Sequence, residues 1–298
     1  MHDIRTIGVL GTGIMGGPMA ARLARAGWPL KVWNRSREKA MALADAGDVT
    51  LVCEPHAAAT DVDALIVMLS SGPVCNEILL GEHGALTAMR PGSLLLVMSS
   101  IPVGTARQQA GAARRHDIAY LDAPVSGGER GAIEGNLAIM VGGGASAFAR
   151  AESLLGVLGS PVHVGPEGCG QLAKLANQLI VANGIATVAE ALLLAERGGA
   201  DPARVCEALQ GGFADSTILR VHGQRMLEGY HEPGGPAKWQ SKDTRTAMAF
   251  ADSLALELPV SRLVDRLFNE LVEHGDGNLD HSALIRELRR INRLPVEG

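Results

Sequence analysis

The sequence predicts an α/β chain in two domains: a doubly wound, mostly parallel sheet with helices on both faces over residues 1–165, then an all-α domain over residues 166–298. Three observations carry this. Up to residue 165, short β-rich runs alternate with Ala-, Leu- and Arg-rich helical stretches, the pattern of crossover units in a parallel sheet. A glycine-rich turn follows the first run directly. Beyond Gly165-Pro166 only helical periodicity persists, broken at Gly198-Gly199, Gly211-Gly212, Pro233-Gly234-Gly235-Pro236, Pro259 and 275–277.

Taken in order, strands are expected at 6–10, 30–33, 50–53, 64–68, 94–98, 119–121, 137–141 and 162–164. After the first comes Gly11-Thr12-Gly13-Ile14-Met15-Gly16, with Met15, Met19 and Leu23 at helical spacing toward Gly27. Strand, glycines and helix stand in the order of a Rossmann dinucleotide site. The first glycine permits the tight turn, the second lets backbone approach a pyrophosphate, and the third lets helix pack on strand. Phosphates then meet the free N–H groups and dipole of the helix start. Gly11, Thr12, Gly13, Ile14, Met15 and Gly16 are the expected cradle; a plain glycine-rich turn is the alternative.

The second strand ends Trp33-Asn34-Arg35-Ser36. An acid there would bind a ribose 2′-hydroxyl and repel a 2′-phosphate. Asn34 is an amide, Arg35 offers a planar fork to a phosphate, and Ser36 adds a hydroxyl. NADP(H) is therefore expected in preference to NAD(H), with Arg37 competing for the role of Arg35. Two further loops fall at strand ends, where ligands of such sheets bind. Met68, Leu69 and Ser70 are placed near the adenosine side and Ser100 near the nicotinamide, unless both loops are merely structural.

Asp122-Ala123-Pro124-Val125-Ser126-Gly127-Gly128 is a second glycine-rich stretch. Ser126, Gly127 and Gly128 can present a hydroxyl and successive backbone N–H groups to a carboxylate, or form an ordinary turn. Near Gly168-Cys169-Gly170 a helix begins whose Gln171, Lys174, Asn177 and Gln178 share one face among apolar residues. An isolated ammonium there is costly, so Lys174 is paired, at a cleft edge, or a desolvated acid/base; a snorkelling surface lysine remains the other reading. Lys242-Asp243, taken alone, reads as an exposed ion pair of the common and weak kind, with a functional pair as the alternative.

Composition limits the function classes. The 298 residues are 47% apolar and 20% charged with 3% aromatics, an ordinary globular balance. A net charge of −5 without a basic cluster argues against nucleic acid as a partner. No signal-peptide pattern follows Met1-His2-Asp3-Ile4-Arg5, so a cytoplasmic protein is expected. The most apolar stretch, 172–195, includes Lys174, Asn177, Gln178, Asn183 and Glu190, so it reads as a helix buried in protein, with no membrane role. Cys53, Cys75, Cys169 and Cys206 have neither ligand nor disulfide spacing, and no metal is expected.

Together these segments resemble the β-hydroxyacid dehydrogenases, a family that includes 3-hydroxyisobutyrate dehydrogenase, tartronate semialdehyde (2-hydroxy-3-oxopropionate) reductase and 6-phosphogluconate dehydrogenase. Residues 8–20 resemble its cofactor signature and residues 122–143 its substrate signature, and the likeness spans nearly the whole chain. It implies that Ser126, Gly127 and Gly128 hold a substrate carboxylate. By the motif G-x-x-x-K-x-x-N it implies Lys174 as general acid in reduction and Asn177 as its substrate-binding neighbour. Lys242 would approach substrate or nicotinamide, with Asp243 mainly structural. Gly211 to Ser216 and His222 to Met226 look most like the tartronate semialdehyde reductase branch, which makes Phe213 and Ser216 pocket candidates facing the cleft. Val97 and Asn136 depart from the family pattern, the second as a candidate for a changed pocket.

The expected activity is NADPH-dependent reduction of a short carboxylated aldehyde to its 3-hydroxy acid, and the reverse. A helical domain closing the cleft and a homodimer or homotetramer are implied by the resemblance. Reduction of another electrophile on the same fold (succinic semialdehyde, glyoxylate or an imine) and a non-catalytic NADPH-binding module stay as alternatives.

Overall fold

A computed structural model describes residues 4–232 and 234–296. Met1, His2 and Asp3 of the amino-terminal reading and Pro233 of the helix break lie outside the described residues. The chain divides into two compact units, residues 1–174 and 175–298. The division falls inside one long helix, Cys169–Arg197, rather than at the 165/166 junction expected from the change of pattern.

The first unit is built on β1 (Ile7–Leu10), β2 (Leu30–Trp33), β3 (Val49–Leu51), β4 (Ala64–Val67), β5 (Leu94–Val97), β6 (Ala119–Asp122), β7 (Val125–Ser126), β8 (Leu137–Gly143) and β9 (Gly159–Gly165). The sheet order is β3-β2-β1-β4-β5-β6-β8-β7, with β9 paired to β8. From β3 to β6 every pairing is parallel; β8 runs antiparallel to β6 and β7, and β9 runs parallel to β8. Strand order reverses between β1 and β4, which opens the ligand crevice beyond their carboxyl ends.

Alternation along the strands feeds two apolar layers. Leu94 and Leu96 pack with Ile7, Val9, Met19 and Leu23 on one face, and Leu95 and Val97 with Leu65, Val67 and Leu79 on the other. The two-residue β7 was not foreseen. Its pairing with β8 is too short to leave a periodic signal, and it sits inside the glycine-rich motif. At β9 the strand begins three residues before the expected 162, at Gly159, because pairing with β8 recruits Gly159, Ser160 and Pro161, residues of low strand propensity. Pro161 is tolerated there because the strand has a partner on one side only.

The second unit is helical. Among its described residues the only β pairing is an isolated bridge between Pro236 and Asp280. Helices Ala237–Ser253, Pro259–Glu273 and Leu284–Ile291 accompany the long helix, and Ala182, Ile185, Ala189, Leu192, Phe268, Leu271 and Leu284 form the core. The long helix is apolar and long enough to cross a membrane by length and composition, and 33% of its most apolar stretch is buried. The expectation of a helix buried in protein thus holds for one stripe only: Ala182, Ile185, Ala189 and Leu192 are covered, whereas Ile180 and Leu194 are exposed.

One polar cluster fastens the approach to Ala237–Ser253. Asp280 accepts from the backbone N–H groups of Gly234, Gly235 and Ser282 at 3.1, 3.2 and 3.1 Å and pairs with Arg225 at 2.6 Å. Burial works to raise its carboxyl, but the His222 ring 3.4 Å away, the Ser282 N–H and the Arg225 charge hold it well below the usual carboxylate range. Beside it, burial lowers the His281 imidazole to about 4.

Candidate active site

At the switch point Gly11 has φ +100°, and a Cβ there would lie 2.2 Å from the Met68 carbonyl oxygen. A Cβ at Gly16 would fall 2.0 Å from the carbonyl oxygen of Gly11, so both positions require glycine to let the helix close on the strand. Gly13 is different, since a Cβ on it would meet nothing within 4 Å. Open space at the middle glycine beside two crowded ones suits a bound diphosphate. Thr12 points the same way, its Oγ1 buried without a hydrogen-bond partner among the described residues. An unpaired buried hydroxyl is costly, and a phosphate oxygen would satisfy it.

Asn34 ties this turn to the next loop. Its Oδ1 accepts from Thr12 N–H at 2.9 Å while its Nδ2 donates to the Ser36 carbonyl at 2.8 Å. An aspartate could make only the first bond. The amide therefore orders the Arg35-Ser36 turn as well as removing a charge, and Arg35 and Ser36 are both exposed. Met68 and Leu69 are half-buried and Ser70 is exposed at the end of β4. Fully buried Ser99 donates to the Val67 carbonyl at 3.3 Å and accepts from Leu69 N–H at 2.7 Å, joining the ends of β4 and β5; half-buried Ser100 follows it.

At the next strand end, Ser126 is half-buried in β7, and Gly127 and Gly128 take φ of +139° and +62°. Two successive positive φ values are open to glycine at little cost and turn the chain straight into the helix Gly128–Glu134. Asp122, at the end of β6, is wholly buried, and its carboxylate oxygens accept from the backbone N–H groups of Gly168 at 2.7 Å and Gln171 at 2.8 Å. Burial raises this carboxyl to about 6, against those two hydrogen bonds, which favour the ionised form.

The polar face expected on the long helix is present and divides by task. Lys174 and Asn177 are half-buried, one turn apart. Gln171 and Gln178 are buried and bonded within the protein. The Gln171 side chain accepts from Ile101 N–H at 3.0 Å and donates to the Ser99 carbonyl at 2.8 Å. In the second unit Asn177 donates to Gln178 at 2.8 Å, Gln178 to Asp243 at 2.6 Å, and Lys242 stands 2.9 Å from the other Asp243 oxygen. Lys242-Asp243 is thus the end of a chain that begins at Asn177, and its aspartate is buried.

Phe213 is fully exposed in the turn after Pro202–Leu209, and Ser216 accepts from Leu219 N–H at 3.0 Å as a local cap. Asn136 is exposed and donates to Glu134 at 2.9 Å, whereas Val97 lies buried in register with Asp122. Sequence reasoning missed Asp122, Gln171 and Gln178 as organising residues. Their partners lie between 46 and 72 residues away, apart from Asn177 beside Gln178, so spacing carries no signal of them.

Comparison with known proteins agrees with this geometry. Residues 6–166 match the family model described as the NAD binding domain of 6-phosphogluconate dehydrogenase. Residues 168–288 match the one described as the NAD-binding of NADP-dependent 3-hydroxyisobutyrate dehydrogenase. The chain is 43% identical to the 2-hydroxy-3-oxopropionate reductase of Escherichia coli (strain K12), over 95% of this chain and 96% of that protein. It is 33% identical to a probable 3-hydroxyisobutyrate dehydrogenase-like protein 1, mitochondrial, of Arabidopsis thaliana, over 98% of this chain and 87% of the other. Among solved structures, the Mycobacterium tuberculosis 3-hydroxyisobutyrate dehydrogenase with L-serine superposes with a TM-score of 0.87 at 30% identity, covering 96% of this chain and 99% of that one.

Proposed function

This chain belongs to the β-hydroxyacid dehydrogenase family of NAD(P)-dependent oxidoreductases, and from that premise we propose that it reduces tartronate semialdehyde, or a similar short 3-oxo acid, with NADPH. The observation that carries the proposal is the placing of Lys174 and Asn177 one turn apart on a helix whose first turn is hydrogen-bonded to Asp122, four residues before Ser126. The helix of Lys174 and the turn of Ser126 are thus both tied to the end of β6, which supports reading the one as acid/base group and the other as carboxylate holder.

Gly11, Thr12, Gly13 and Gly16 would hold the dinucleotide, with Arg35 and Ser36 on a 2′-phosphate and Ser100 on the nicotinamide side. When bound, the reduced nicotinamide supplies the hydride that the aldehyde carbon accepts. Ser126, Gly127 and Gly128 bind the substrate carboxylate and so orient the carbonyl, an advantage that can amount to orders of magnitude in effective concentration. Lys174 gives its ammonium proton to the carbonyl oxygen as that oxygen gains charge, becoming a neutral amine that solvent reprotonates. Asn177 orients the substrate beside it, and Lys242 adds positive charge near the reacting groups. The same reading makes the protein a cytoplasmic homodimer or homotetramer, for which the uncovered Ile180 and Leu194 supply apolar surface.

The test is the initial rate of reduced-cofactor consumption with tartronate semialdehyde, methylmalonate semialdehyde, succinic semialdehyde, glyoxylate and a cyclic imine, each with NADPH and NADH. Preferred turnover of a 3-oxo acid with NADPH is expected. Turnover of the imine alone would overturn the roles of Ser126 and Lys174.

A further inference from the structure

We propose that Asp122 and Gln171 are positioning residues for Lys174, clamping the first turn of its helix onto the carboxyl ends of β5 and β6. The proposal rests on the reading of Lys174 as proton donor. Both side chains are buried, 0% and 1% exposed. Four of their bonds go to backbone of other segments: Asp122 takes Gly168 and Gln171 N–H, and Gln171 takes Ile101 N–H while giving to the Ser99 carbonyl.

Simple attachment of a helix to a sheet does not need this. Apolar packing would hold it without the desolvation cost of a buried carboxylate and amide. Directional bonds on both sides of one turn fix instead its height and rotation. Two glycines complete the clamp. A Cβ at Gly142 would stand 2.5 Å from Gly170 N and 2.6 Å from Asp122 Oδ1, and one at Gly170 would stand 2.2 Å from the Asp122 carbonyl oxygen. Helix and strand ends are therefore in backbone contact. Lys174 follows Gln171 by one turn, so a slide or rotation of the clamped turn carries the ammonium with it.

The experiment uses the full chain with NADPH and its preferred aldehyde, comparing Gln171→Leu, Gln171→Glu and Asp122→Asn, each alone and in a Lys174→Ala background. Gln171→Leu is expected to lower kcat about 10- to 100-fold, with KM and the fluorescence-measured NADPH affinity within about threefold of wild type. Gln171→Glu, whose protonated carboxyl can accept from Ile101 N–H and donate to the Ser99 carbonyl but whose ionised form is a buried charge facing that carbonyl, should recover part of the loss toward low pH. Because Gln171 acts through Lys174, adding Gln171→Leu to Lys174→Ala should cost nothing further. Wild-type kcat in Gln171→Leu beside a crippled Lys174→Ala would overturn the clamp alone, as would losses that multiply in the double variant. Should Gln171→Leu fail to fold, the same comparison is made with Gln171→Glu. Undiminished turnover in Lys174→Ala would overturn the proton-donor reading, and the clamp with it.

Discussion

Gln178 donates to one oxygen of Asp243 at 2.6 Å while Lys242 holds the other at 2.9 Å, so a buried amide and a half-exposed cation share one carboxylate. The two bonds differ in worth. Asp243→Ala leaves the Gln178 amide buried without its acceptor and should lower stability by about 2 kcal/mol. Lys242→Ala removes a partner whose side chain is 39% exposed and should cost under about 1 kcal/mol. Urea midpoints of the two variants check the order; the reverse order would make the ion pair the stronger element.

Replacing Lys174 by alanine should reduce turnover by about 10²- to 10⁴-fold, the usual worth of a positioned acid. NADPH binding, followed by fluorescence, should persist.

Cofactor choice should answer to Asn34 and Arg35. Arg35→Ala is expected to weaken NADPH about tenfold or more and leave NADH unaffected. Asn34→Asp keeps the bond to Thr12 but loses the one to Ser36 and adds a charge that repels a 2′-phosphate, so the NADPH/NADH ratio of kcat/KM should fall. An unchanged ratio in both variants would remove this loop from cofactor selection.

Stability against pH should show two opposing contributions. His281, lowered to about 4, stays neutral in the fold while the unfolded chain protonates from about pH 6.5, so its contribution is lost as pH falls from about 6.5 to 4. Asp122, raised to about 6, binds its proton earlier in the fold than in the unfolded chain, so its contribution grows over about pH 6 to 4. Below that, Asp280, held well under the usual range, loses its contribution as it protonates. Asp122→Asn should therefore make the loss of stability between about pH 6.5 and 4 steeper than in wild type, measured by urea unfolding at each pH.

Much of this molecule was legible in its residues. Strands 30–33 and 64–68 stand within a residue of expectation, because apolar runs bounded by glycine and polar turns are set by local chemistry. The glycine-rich turn after β1 was equally plain, Gly11 and Gly16 standing where a Cβ would clash with backbone and Gly13 where it would meet open space. What stayed hidden depends on partners distant in sequence. The face with Gln171, Lys174, Asn177 and Gln178 was visible as a polar stripe, but which residues serve structure was decided by Asp122, Ser99 and Asp243, which periodicity cannot bring near. Phe213 was named from a local motif, and its ring is fully exposed, which spacing alone could not foretell.

The bond network around Asp122 also dictates where this chain tolerates being cut. A fragment ending at residue 165, where the pattern changes, would strip Asp122 of both N–H donors and leave the Ser99 and Ile101 backbone groups open to water. Chimeras spliced there would join a strand end from one parent to a helix start shaped for another. Seams placed just after Lys174 keep donor and acceptor in the same inheritance, and libraries built on that seam should yield more folded members.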